Sequence, residues 1–169
     1  MRKQFILLFV TILLTSCIAR PIAPTPTSPA PTSLPSTIGE AHDVLVNFLT
    51  LLHTKNYAQA VPFYGGEYEA LQVFNPEIDS ADYVALWTWA CDNQLLQCLE
   101  LRSATFKELR GDTYIFQVEF NNLDGSLFVR GPCCGATESE MPSVSQFEFR
   151  VSRNADGAFI VMDPPPYVP

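Results

Sequence analysis

The chain opens on an almost wholly apolar run, Phe5 to Leu14, interrupted only by Thr11, and then loses all periodicity until about Gly39. From there Ala41, Val44, Leu45, Phe48, Leu49 and Leu52 recur at helical spacing. Glu40 and Asp43 fall in the first turn of that helix, where its dipole favours acids. Lys55-Asn56 breaks the pattern. Tyr57, Ala60, Val61 and Tyr64 predict a short second helix, cut down by Pro62 and ended by Gly65-Gly66. The brief apolar stretch Tyr68 to Phe74 reads as a first strand. Pro76 and Asp79-Ser80 start a third helix, which Tyr83, Val84, Leu86, Trp87, Ala90 and Cys91 carry to about residue 91.

From Arg102 the period becomes two. Strands are predicted at Arg102 to Arg110, Thr113 to Asn121, Ser126 to Arg130, Val144 to Arg153 and Ala158 to Met162. Gly111-Asp112, Asp124-Gly125 and Asn154 to Gly157 supply the turns, and a loop runs from Gly131 to Pro142. Tyr114, Phe116, Val118 and Phe120 share one strand face; Ile115, Gln117 and Glu119 share the other. Phe147, Phe149 and Val151 point inward on a later strand. Pro164-Pro165-Pro166 stops the last one. Helices first and a meander after predict an α+β domain, with N-terminal helices packed on a curved antiparallel sheet of about four to six strands.

The apolar run at the start is too short to cross a bilayer, which takes ~20 helical residues. With Arg2 and Lys3 before it, it fits a secretory signal. Leu14-Thr15-Ser16-Cys17 follows, and this resembles a bacterial lipobox. The resemblance covers the first 17 residues. It implies a signal peptide over residues 1–16 and a Cys17 that is diacylated and becomes the new N-terminus. Two acyl chains anchor a protein stably. An Asp after the cysteine would resemble an inner-membrane retention signal, and Ile18 does not. The implied location is the cell membrane or the outer membrane, with the domain on the extracytoplasmic side.

Between Pro21 and Pro35 lie six of the 14 prolines, among Ser, Thr and Ala. Residues 17–38 therefore read as the lipidated cysteine and an extended tether. At ~3.1 Å per residue this tether reaches roughly 60 Å. The Pro-x-x-Pro spacing at Pro21/Pro24 and Pro26/Pro29 suits a spacer better than a recognition ligand outside the cytosol. Residues 39–169 remain as a single α+β domain.

The element order resembles the nuclear-transport-factor-2-like cone, and its small lipid-anchored members in particular. The residues that carry this are Val44-Leu-Val-Asn-Phe-Leu-Thr-Leu-Leu-His-Thr-Lys-Asn-Tyr-Ala-Gln-Ala60 and the closing strands that end in Asp163. The resemblance covers residues 40–163. It implies a cone whose enzymes use an Asp–His or Tyr–Asp set inside. Tyr114 and Asp163 are the weak catalytic candidates that match. The same fold hosts binding and structural domains, so it assigns no function alone.

Charge narrows the partners. Residues 40–169 carry seven Lys and Arg against all eighteen Asp and Glu, a formal −11 where the whole chain has −8. Such a surface is repelled by phosphate backbones and anionic headgroups, which excludes nucleic acid. The acids are spread out, with no calcium-loop pattern.

Removing Cys17 leaves Cys91, Cys98, Cys133 and Cys134, an even number that suggests two disulfides in an exported domain. Cys91 and Cys98 would lie ~10.5 Å apart along an unbroken helix, beyond the ~7 Å limit for a bridge. Either the helix breaks at Asp92-Asn93 and they pair, or each reaches the Cys133-Cys134 loop. A vicinal Cys133–Cys134 bridge is the strained third option. Two cross-links between the segment after the third helix and the Gly131 to Gly135 loop are the favoured arrangement. The spacings do not match a zinc site, and no Cys-x-x-Cys redox motif occurs. No metal and no cofactor is expected.

His42 and His53 would lie ~16 Å apart on one helix, too far to share a proton or a metal. No nucleophile elbow, zinc-protease motif or phosphate loop is present. Trp87 and Trp89 face opposite sides of their helix, one toward the core and the other a weak ligand-binding candidate. Arg110-Gly111-Asp112 copies an integrin-binding tripeptide but sits where a hairpin needs Gly. Together these features predict a lipid-anchored extracytoplasmic binding or structural module, non-catalytic, holding a small apolar ligand or an envelope protein partner. The alternative is a hydrolase- or isomerase-like enzyme with a polar site inside the cone.

Overall fold

The computed structural model describes residues 36–93 and 96–168. The predicted signal peptide, Cys17 and nearly all of the predicted tether lie outside the described residues. Among these residues no helix is long and apolar enough to cross a membrane.

Helix α1 spans Ser36–His53, so its first residues come from the stretch that composition assigns to the tether. Ala41, Leu45, Phe48, Leu49 and Leu52 are all buried, and form the single stripe that helical spacing demands. Its end is a Schellman motif. Asn56 N–H bonds the Leu51 carbonyl at 2.8 Å and Lys55 N–H bonds Leu52 at 3.1 Å. Lys55 takes the left-handed position with φ 61°, which Gly usually fills. Its ammonium meets Asp92 at 2.8 Å, and the Tyr57 hydroxyl donates to the same carboxylate oxygen at 2.9 Å. The exit of α1 is thereby tied to the end of a later helix.

Helix α2, Tyr57–Ala60, passes directly into a 3-10 turn at Val61–Phe63, where Pro62 is tolerated because no interior hydrogen bond is lost. Tyr68 to Phe74 is not a strand. It forms helix α3, Glu69–Val73. The run is short, and Val73 and Phe74 are more than half exposed. Local bonds satisfy the backbone instead: Gln72 N–H to the Tyr68 carbonyl at 3.0 Å, and the Asn75 side chain to the Leu71 carbonyl at 2.7 Å. Helix α4 is Tyr83–Asp92, capped by Asp82, whose carboxylate accepts from Ala85 N–H at 2.9 Å. Asp79, three residues earlier, caps a preceding turn through Ala81 N–H.

Four antiparallel strands follow in simple meander order: β1 Glu100–Arg110, β2 Thr113–Asn121, β3 Phe147–Arg153 and β4 Phe159–Val161. The β1–β2 turn places Gly111 at φ 61°, and the β3–β4 turn places Gly157 at φ 82°. Asn154 braces that second turn by accepting from Asp156 and Ala158 N–H groups. Register shifts at Leu101/Ser103 and Phe106/Glu108 bend β1. The predicted strand at Ser126 to Arg130 is reduced to isolated bridges, Asn121 with Leu127 and Arg130 with Val144. The turn before it forms as expected, with Gly125 at φ 80°. Pairing then fades because Pro132 supplies no donor.

Helix α1 lies across β1 and β4 on one sheet face. Between them Phe48, Trp87, Phe116, Phe120 and Phe149 are buried to 0–1% exposure. Trp87 meets Phe48 and Tyr64 edge-on, with ring centres 5.6 and 5.0 Å apart. Its indole N–H donates to the Tyr68 hydroxyl at 3.2 Å. The interior is therefore filled by interlocked rings.

Candidate functional site

The sequence candidates separate in space. Tyr114 lies on the helix-covered face of β2, against Phe159 at 5.3 Å and Phe106 at 6.4 Å. Its cross-strand partner is Val151, whereas Ile115 pairs with Arg150 on the other face. Asp163 belongs to that other face. It accepts from Arg150 N–H at 2.7 Å and from the guanidinium at 2.6 Å. A carboxylate held this way is committed to the arginine. The sheet thus stands between Tyr114 and Asp163, and they form no common site.

Trp87 is a core residue. Trp89 is half-buried beside a shallow depression with Ile78, Val84 and Asp92. The histidines are used structurally: His42 Nε2 donates to the Ala104 carbonyl at 3.2 Å, and His53 Nδ1 to the Cys98 carbonyl at 3.3 Å. Among the described residues no three His, Cys, Asp or Glu side chains converge as a metal site.

The cysteines correct the favoured cross-links to the Gly131 to Gly135 loop. Cys91 bonds Cys98, with Cα atoms 5.5 Å apart. The helix ends at Asp92, and Leu96 N–H folds back onto the Ala90 carbonyl at 3.0 Å. That reversal removes the helical separation that kept the two apart. Cys133 and Cys134 are free thiols with sulfurs 2.7 Å from one another. Their mutual hydrogen bond holds the Cys133 thiol above its ordinary pKa.

Among the described residues an open groove of about 720 Å³ lies at one end of the sheet. One wall is the segment after β2: Phe128, Val129 and Arg130, continuing into Pro132, Cys133 and Cys134. The opposite wall is the chain end, Tyr167 and Val168, and Met141 closes one side. Backbone bonds fix these walls. Arg130 and Val144 exchange both N–H groups at 2.8 and 2.9 Å, and Gln97 N–H holds the Pro166 carbonyl at 2.8 Å. Glu138 accepts from Ser143, and Glu140 from Thr137, which ties the outer loop.

The chemistry of this groove is apolar with one cation. Val129 is 49% exposed, and Met141 and Tyr167 are 38% exposed. Phe74 stacks on Tyr167 at 6.0 Å and extends the surface outward. Arg130 sits over the Phe147 ring at 5.7 Å. Lys55, Lys107, Arg110, Arg150 and Arg153 each meet a carboxylate, and Arg102 bonds the Asn121 side chain. Among the described residues Arg130 has no such partner. The sequence reading missed these residues because they lie on an irregular loop and a chain end, where apolar residues follow no period. The nearest signal is Pro132-Cys133-Cys134-Gly135, which marks a turn. No protein-family model matches the chain, and no curated protein matches it.

Proposed function

We propose that the chain is a non-catalytic, lipid-anchored extracytoplasmic module that binds a small apolar ligand with an anionic end in this groove. The observation that carries the reading is the contrast between a ring-filled interior and an end groove with exposed Val129, Met141 and Tyr167. A volume near 720 Å³ falls within the roughly 300–1,000 Å³ of small-molecule sites. Covering the apolar walls contributes about 25 cal/mol per Å² removed from water. Arg130 offers a charge-assisted hydrogen bond to a carboxylate. On a domain of formal charge −11, an arginine that has no carboxylate partner among the described residues and lines an apolar cleft favours an anion.

Anchoring rests on the signal region and lipobox at Cys17. The nuclear-transport-factor-2-like cone stays the proposed fold family, with the ligand beside the cone and not within it. The hydrolase- or isomerase-like alternative needs a polar pair inside, and Tyr114 with Asp163 does not supply one. Native mass spectrometry of the full chain, released from membranes in mild detergent, tests the ligand. A bound small molecule in the wild type and its loss in Val129→Asp are expected. Equal, ligand-free masses for both proteins would remove the reading.

A further inference from the structure

Cys133 and Cys134 combine features that packing does not require. Their thiols face one another at 2.7 Å, Cys134 is exposed, and Cys133 is half-buried. Cys134 adopts φ 59°, a left-handed backbone that costs a residue with a Cβ and that clusters at functional sites. Gly135 continues the turn at φ 88°, and Ala136 N–H closes it on the Cys133 carbonyl at 2.9 Å. The other pair in the domain, Cys91 and Cys98, is bonded to itself. Both remaining thiols of the domain therefore sit on a fixed frame in the wall of this groove, with only each other as sulfur partner among the described residues.

We propose that Cys133 and Cys134 are a reversible redox site, which closes to a vicinal disulfide and reopens by exchange with low-molecular-weight disulfides and thiols that enter the groove. Cys134 is the more accessible sulfur and attacks first. Its thiolate displaces one sulfur of R–S–S–R, which leaves as a thiolate and takes up a proton. Cys134 is then joined to the remaining R–S group. Cys133 loses its proton and attacks the Cys134 sulfur, expelling the second R–S⁻. The protein loses two electrons and two protons in all, and R–S–S–R becomes two R–SH. Two thiols reverse the sequence and reopen the ring.

Covalent geometry explains why this bond opens more readily than Cys91–Cys98. Adjacent Cα atoms are ~3.8 Å apart across a trans peptide, short of the ~4.4–6.8 Å range of relaxed disulfides. The Cys91–Cys98 Cα distance of 5.5 Å lies within that range. Strained, exposed disulfides are the more oxidising and labile ones. The inference does not depend on the groove's apolar ligand, since it concerns only the two sulfurs and their access.

The test equilibrates the purified full chain in buffers of defined reduced-to-oxidised glutathione ratio, quenches with acid, alkylates with iodoacetamide and maps the adducts by mass. Cys133 and Cys134 should gain both labels together, at a less reducing ratio than Cys91 and Cys98. Cys133→Ser should trap a glutathione adduct on Cys134, and Cys134→Ser should form its adduct about tenfold more slowly. Phenylarsine oxide, which needs two close thiols, should add once to the reduced wild type and not to either variant. Opening of all four cysteines at one ratio would overturn the proposal. So would two independent glutathione adducts on the wild type, or a bridge between two chains.

Discussion

Removing one oxygen from Tyr68 tests how the aromatic core is held. The Tyr68 hydroxyl accepts the indole N–H of Trp87 at 3.2 Å, and Trp87 has 0% exposure. In Tyr68→Phe the ring keeps its stack on Tyr83 at 4.0 Å and its edge contact with Tyr64 at 5.1 Å. What changes is that a buried donor loses its acceptor, which costs about 1–3 kcal/mol. With a urea m-value of about 2 kcal/mol/M, a 2 kcal/mol loss moves the unfolding midpoint down by about 1 M. Trp87→Phe removes the donor and leaves a cavity, so it destabilises by itself. In that background Tyr68→Phe should cost close to nothing. The assay is urea unfolding followed by far-ultraviolet circular dichroism on wild type, both single variants and the double variant. The expected coupling energy is about 1–2 kcal/mol. A Tyr68→Phe cost below about 0.5 kcal/mol, or one that is equal in both backgrounds, would refute the reasoning.

Asp92 is held below its ordinary carboxylate pKa, first by the hydrogen bond from Lys55 and then by that from Tyr57. A depressed carboxylate stabilises the fold above its ordinary value of 3.8 and loses that contribution as pH falls through the folded value. Asp92→Asn should therefore melt slightly below wild type at pH 7, and thermal scans in acid should bring the two curves together. The Cys91–Cys98 bridge closes a short loop of sequence separation 7, and Cys91→Ala/Cys98→Ala should lose about 2 kcal/mol in the same urea assay. Cys17→Ala should abolish incorporation of labelled palmitate in growing cells, with the wild type labelled in parallel as the reference.

Where many residues repeat one period, the pattern along the chain was enough. The stripe of Ala41, Leu45, Phe48, Leu49 and Leu52 marks α1, and the alternation from Tyr114 to Phe120 marks β2 with its inward face. Gly111 and Gly157 mark their hairpins because a left-handed turn needs them. Short segments were not legible in the same way. Tyr68 to Phe74 is too short to distinguish a strand from a turn of helix by its pattern, and local bonds such as Gln72 N–H to the Tyr68 carbonyl make it a helix. Ser126 to Arg130 has strand composition, but the proline after it ends the pairing. The cysteine partners depended on where α4 stops, since one reversal after Asp92 changes which sulfur is nearest. The groove was least visible: Val129, Met141 and Tyr167 come from separate irregular segments, and only the folded backbone brings them together.

The central claim is that the groove binds an apolar molecule through its walls and an anionic end through Arg130. The most direct measurement is calorimetric titration of the full chain with dodecanoate and with dodecanol, below their aggregation limits. Wild type should bind dodecanoate saturably and about tenfold more tightly than dodecanol, the equivalent of about 1.4 kcal/mol. Arg130→Gln should erase that preference, and Val129→Asp should abolish binding of both. No saturable binding by the wild type, or unchanged binding in both variants, would contradict the account.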